Sequence, residues 1–129
     1  MAGELETVGA EAFDGERLRR PGAVAVAFLA EWCPFCRTFA PEFAWLQRQP
    51  GLHLLVADVT PDDSPLWDRF GIDVVPTVIV FHEGKAVFRA DGVPGRGLSA
   101  ADLEAIGRAA RPATGDRAPK RTAGSDGRG

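Results

Sequence analysis

Cysteine is scarce in this chain. Only Cys33 and Cys36 occur among 129 residues, three positions apart. Two neighbouring thiols make a poor framework for a small secreted fold, and a chain this long can bury a core without staples. Long apolar runs are missing too. None approaches the roughly 18 residues that a membrane-spanning helix needs, so no membrane association is expected. Internal repeats are absent. Basic charge is lacking where nucleic acid would require it. From Arg111 onward there are five basic and two acidic side chains, but the remaining 110 residues carry ten and sixteen. An acidic body argues against nucleic acid as the main partner.

What is present points to one domain. Length and composition fit a globular unit over residues 1–110, followed by a Pro/Gly/Ser/Thr-rich tail over 111–129 whose composition suits disorder. The tail's scattered basic charge reads as a solvated end. Arg17, Arg19 and Arg20 stand before the apolar run Ala23 to Ala30, an order that imitates a signal peptide. Glu4, Glu6, Glu11, Asp14 and Glu16 make that stretch acidic, and no small-residue cleavage site follows. A buried strand and a cytoplasmic location are therefore expected.

The chain predicts an alternation of strands and helices. A short edge strand is expected over 5–8 and a helix over 10–20, with Ala12, Phe13 and Leu18 as its apolar set, stopped by Pro21-Gly22. The run from Ala23 has no polar face, which suits a central strand covered on both sides. A helix follows over 34–49, striped by Phe39, Phe43 and Leu46 and bent by Pro41. Next come a strand over 52–59, a short helix over 65–70 carrying Leu66, Trp67 and Phe70 inward, a strand over 74–81, a turn at 82–85 and its hairpin partner over 86–90. The last helix opens at Ser99, with Asp102 three residues on as a capping-box partner. The predicted architecture is a central mixed sheet with helices on both faces.

Trp32-Cys33-Pro34-Phe35-Cys36 stands where the central strand gives way to a helix. Beside a strand–helix unit, this cysteine spacing reads as a redox dithiol. The positive end of the helix favours an anion at Cys33. The N–H groups of Phe35 and Cys36 are expected to point at its sulfur as at a capping oxygen. Pro34 suits the first helical position, where a missing N–H costs nothing. Cys36 lies one turn deeper and should titrate higher. Half a zinc site completed by His53 and His82 is the competing reading. It places His53 at the far edge of the sheet and His82 about 20 Å along its strand from Pro76, so no metal is expected and both histidines read as surface residues. Trp45 and Trp67 read as core or semi-buried packing. Asp58, Asp62 and Asp63 read as a solvated loop with helix-capping duties.

The sequence resembles the thioredoxin family over about residues 4–110. The resemblance is carried by Ala30-Glu31-Trp32-Cys33-Pro34-Phe35-Cys36-Arg37, by Pro41, by Phe70-Gly71-Ile72-Asp73-Val74-Val75-Pro76-Thr77, and by Gly84 and Gly92. It implies an α/β thioredoxin fold in which a cis Pro76 lies against the dithiol. It also implies a thiol–disulfide oxidoreductase with Cys33 as nucleophile, Cys36 as resolving thiol and no cofactor. Trp32, Pro34, Phe35, Val75, Pro76, Gly92 and Val93 would form the substrate-docking surface. The implied partners are disulfide-containing proteins and an electron donor of the thioredoxin-reductase type or glutathione, with the chain acting as a monomer. Glutaredoxin-like exchange, disulfide isomerase or oxidase work, and a redox-silent binding module are the alternatives.

Three departures from the family stand out. Pro34-Phe35 replaces the usual Gly-Pro. Ala27 stands where a buried Asp is customary, and no lysine accompanies it at Val56 or Ala57. Losing both members of such a pair is coherent, because losing one alone strands a buried charge. It leaves solvent or Glu31 to accept the Cys36 proton.

Overall fold

The computed structural model describes residues 5–111. The tail expected over 111–129 lies, apart from Arg111, outside the described residues. Ten elements follow in order: β1 (Glu6–Val8), β2 (Phe13–Asp14), β3 (Arg17–Leu18), β4 (Ala23–Leu29), α1 (Pro34–Ala44), β5 (Leu52–Asp58), α2 (Pro65–Arg69), β6 (Thr77–His82), β7 (Lys85–Asp91) and α3 (Ala100–Ala109). Five strands form one mixed sheet in the order β1-β5-β4-β6-β7. β1 and β4 run parallel to β5, while β6 is antiparallel to both β4 and β7.

β4 holds the centre because every one of its residues is apolar. All seven are buried. Their alternation sorts the two faces. Val24, Val26 and Phe28 share one face, where Phe28, Phe13, Phe70 and Phe81 pack ring against ring at centroid distances of 5.0–6.3 Å. The edge-to-face pairs, Phe13–Phe70 and Phe70–Phe81, add about 0.5–1.5 kcal/mol each beyond their buried area. Ala23, Ala25, Ala27 and Leu29 share the opposite face, under α1 and α3. Three of the four are alanines, which keep that face of the strand low. Gln49, just beyond α1, donates to the Gly107 carbonyl of α3 at 2.8 Å and ties the two helices together.

One expected helix is absent. Residues 10–20 form a single 3₁₀ turn, Ala10–Ala12, and then the β2–β3 hairpin, Phe13 paired with Leu18 and Asp14 with Arg17. The reason is local. Asp14-Gly15 is turn chemistry, and Gly15 takes a φ of +61° that no helix interior uses. The hairpin sends both Phe13 and Leu18 into the core, which a helix over the same apolar set was meant to achieve.

Other boundaries move less. The helix expected over 34–49 becomes α1 followed by a 3₁₀ turn, Trp45–Arg48, as the Trp45 N–H reaches back to Glu42. β6 starts at Thr77 rather than Val74. Pro76 has no N–H for the ladder, and its carbonyl instead accepts from Gly92 N at 2.9 Å. The turn at Glu83-Gly84 has positive φ at both residues, 51° and 85°, the backbone that a two-residue hairpin prefers. The capping box at Ser99 and Asp102 forms in both directions.

Three side chains also differ from expectation. Trp45 is exposed rather than semi-buried, with the Arg48 guanidinium 5.7 Å from its ring centre. His82 is half-buried rather than on the surface, its Nε2 lying 3.2 Å from the Ala109 carbonyl of α3. Asp58 is the half-buried last residue of β5 rather than part of a solvated loop.

Candidate active site

β4 ends at Leu29, and four residues later Cys33 caps α1 with Pro34 at its first position. Both cysteines are free and buried. The expected sulfur cap does not form. The Cys36 N–H bonds the Cys33 carbonyl at 3.1 Å, and no N–H of the first turn reaches the Cys33 sulfur. Instead the Cys33 thiol donates to the Val75 carbonyl at 3.5 Å. A carbonyl neighbour suits the protonated, reduced thiol.

The Val75–Pro76 peptide is cis, as the resemblance implied, and it faces the dithiol through that Val75 carbonyl. Gly92 lies directly on Pro76. A Cβ at position 92 would stand 2.5 Å from the Pro76 oxygen, so only glycine fits there. Val93 follows, exposed, and pairs with Gly97. Gly97 in turn packs on the Phe35 side chain, its would-be Cβ 3.2 Å from that of Phe35. Cys33, Pro34, Phe35, Val75, Pro76, Gly92 and Val93 are thus brought together, Pro34, Phe35 and Val93 exposed over the buried others, although 42 residues separate Cys33 from Val75.

Trp32 completes the exposed set, at 52%. Its indole N–H bonds the Thr60 carbonyl at 2.9 Å, and its ring stacks on Trp67 at 6.3 Å and 10°. Trp67 was read as core or semi-buried packing and is half-buried, but its stacking on Trp32 was not foreseen. Sequence reasoning also missed Thr60, whose hydroxyl accepts from Glu31 N at 2.9 Å and donates to Asp58 Oδ1 at 2.5 Å. The Thr60 N–H bonds the same Asp58 oxygen at 3.0 Å. Asp58 and Thr60 stand two residues apart before Pro61, which is the Asx-turn spacing that could have found them.

Burial separates the two thiols chemically. It pushes the Cys36 thiol up to about 12, the contact with Cys33 adding to the effect and the backbone at Ala30 opposing it. Ala27 and Val56 lie side by side in the β4–β5 register, both apolar, so the position of the missing acid is filled by hydrocarbon. Among the described residues, no group of three or more His, Cys, Asp or Glu side chains is placed to hold a metal ion.

A mixed sheet that sets a dithiol at a helix start, against a cis-proline loop, defines the class: thioredoxin-fold proteins. The comparisons carry this to the family. The model of the Thioredoxin family matches residues 4–103, and the chain belongs to that family. It is 32% identical to thioredoxin of Chlamydia caviae over 90 residues, covering 69% of this chain and 85% of that one. It is 33% identical to protein disulfide-isomerase A3 of Gallus gallus over 81 residues, covering 62% of this chain but 16% of the relative. Spinach chloroplast thioredoxin f superposes with a TM-score of 0.65 at 24% identity, over 84% of this chain and 88% of that one. Membership is consistent with thiol–disulfide oxidoreduction as the general activity.

Proposed function

We propose that this protein reduces or exchanges protein disulfides through a Cys33/Cys36 dithiol–disulfide cycle. The observation that carries the proposal is the convergence of a dithiol, both thiols buried and Cys36 the deeper, on an exposed apolar surface made by Trp32, Phe35 and Val93. Cys33 as thiolate attacks one sulfur of a substrate disulfide. A mixed disulfide forms and the first substrate thiolate leaves, taking a proton from solvent. Cys36 then loses its proton and attacks the Cys33 sulfur. The intramolecular disulfide forms and the second substrate thiolate leaves. The substrate gains two electrons and the protein dithiol loses two. An electron donor of the thioredoxin-reductase type or glutathione would restore the dithiol.

Substrate segments would dock along Trp32, Pro34, Phe35, Val75, Pro76, Gly92 and Val93. Trp32, Phe35 and Val93 are the exposed apolar members of this set, while Pro76 and Gly92 pack beneath them. The chain would work as a monomer in the cytoplasm without a cofactor.

The centre is expected to be less reducing than thioredoxin, which lies near about −270 mV. No buried carboxylate at position 27 opposes the thiolate, and Pro34-Phe35 replaces Gly-Pro. These two features, with the likeness to a disulfide isomerase, favour isomerase or glutaredoxin-like exchange as the second reading.

Two measurements test the proposal. Cys36→Ser should accumulate a mixed disulfide with a substrate protein, seen by mass. Free turnover by that variant would reject the resolving role. Equilibration in graded glutathione or dithiothreitol buffers should give a reversible Cys33–Cys36 couple. A midpoint well above about −230 mV supports exchange or isomerisation, and one near thioredoxin's supports general reduction. If no intramolecular disulfide forms at any poise, the enzymatic reading fails.

A further inference from the structure

The exchange cycle leaves one proton unassigned. Cys36 is buried, and the proton it must lose before attacking Cys33 has no acceptor in the core, where Ala27 and Val56 meet. Yet Cys36, though 2% exposed, borders open space. It lines a groove of about 240 Å³ that opens to the surface between α1 and the ends of β4 and β5. Thr7, Ala30, Glu31, Arg37, Ala40 and Asp58 also line it. The groove is large enough for several waters.

We propose that Asp58 is the proton acceptor for Cys36, reached through water in this groove, and so sets the rate at which the mixed disulfide is resolved. The inference rests on the exchange reading above. Three observations support it. Asp58 follows Val56 by two residues, so it lies on the same face of β5, one pleat nearer the dithiol end of the sheet. Its carboxyl is held rather than free. Oδ1 accepts both the Thr60 N–H and the Thr60 hydroxyl, and the residue lines the groove. The charged groups facing Cys36 are few. Cys33 lies beside it, Arg37 follows on its own helix, Glu31 lies on the preceding loop and Asp58 on β5. Arg37 is turned to the Glu31 carbonyl, 2.8 Å away, and Glu31 is exposed. Asp58 is the half-buried carboxylate of the set, and the exposed Asp63 lines a neighbouring groove with it.

In the step itself, water in the groove takes the Cys36 proton and passes its own to Asp58. The Cys36 sulfur bonds to that of Cys33, and the substrate thiolate departs with the electron pair of the broken S–S bond. Asp58 then returns the proton to solvent. A cavity and a placed base replace the buried acid–base pair that this core lacks.

A single turnover of the reduced full-length protein with Ellman's reagent separates the steps. The first thionitrobenzoate release reports attack by Cys33 and the second reports resolution by Cys36. Asp58→Asn should leave the first phase unchanged and slow the second about tenfold or more at pH 7, as loss of a general base does. The deficit should shrink as pH rises and hydroxide takes over. Asp58→Glu should recover much of the rate. Ala40→Leu keeps the carboxylate but crowds the water, and should slow the second phase as well. It decides the matter if Asp58→Asn does not fold. A second phase at the wild-type rate across the pH range in Asp58→Asn, or in Ala40→Leu when it stands alone, overturns the proposal. If the wild type itself releases only one equivalent, the exchange reading fails instead.

Discussion

At the scale of single residues the two thiols are the clearest case of one spacing giving two chemistries. Their separation by three was visible in the sequence, and so was the greater depth of Cys36. What the sequence could not supply was the partner of Cys33. A capping sulfur was expected, but the thiol turns to the Val75 carbonyl, brought there by the chain return at Pro76. Such a contact is set by the whole sheet and has no local signature. The raised Cys36 thiol has a consequence for stability. Its folded value of about 12 lies above the ordinary value of 9.0, so between these limits the folded state holds a proton that the unfolded state has released. Unfolding is then favoured as pH rises. The contribution is fully present below pH 9 and is lost toward pH 12. Urea midpoints of the reduced protein should fall faster over that window than those of reduced Cys36→Ala. Parallel curves would show that Cys36 ionises as easily in the native state as in the unfolded chain.

At the scale of elements, legibility depended on whether the signal was local. α3 was readable because its start is self-contained. Ser99 Oγ accepts from Asp102 N at 3.2 Å while Asp102 Oδ2 accepts from Ser99 N at 2.8 Å. Ser99→Ala should therefore cost about 1 kcal/mol, read as a lower urea midpoint with unchanged exchange activity. A loss of activity of the same size would place α3 in the docking surface. The β2–β3 hairpin was misread because Phe13 and Leu18 suit either element. Helix formers at 10–12 weighed on one side and Asp14-Gly15 on the other. The turn won, since a two-residue loop brings both apolar side chains to one face at once. α1 was read correctly through its stripe, but its last turn was not. The tightening at Trp45 depends on how the chain meets β5.

At the scale of the whole molecule the mixed sheet was legible from two features, an apolar run that had to be central and a β-α-β unit that had to cross over, but the full strand order was not. Nor were the faces. That Phe13 belongs to the same aromatic cluster as Phe28, Phe70 and Phe81 required knowing that the hairpin folds back across β4 and β6. Phe13→Ala should test this. Removing a core phenylalanine costs about 3–5 kcal/mol, whereas a Phe on a peripheral helix would cost far less. A chemical-denaturation series decides between them. The closure of the sheet also has a consequence for descent. The loop after β7 comes to rest on Pro76 with space for a hydrogen and nothing more at Gly92. Every other amino acid enlarges that position, so lineages that keep this dithiol pocket are confined there to synonymous codon changes. The exposed side chains around it, Trp32, Phe35 and Val93, meet no such limit, and a change there can alter substrate preference without touching the contact that shapes the centre.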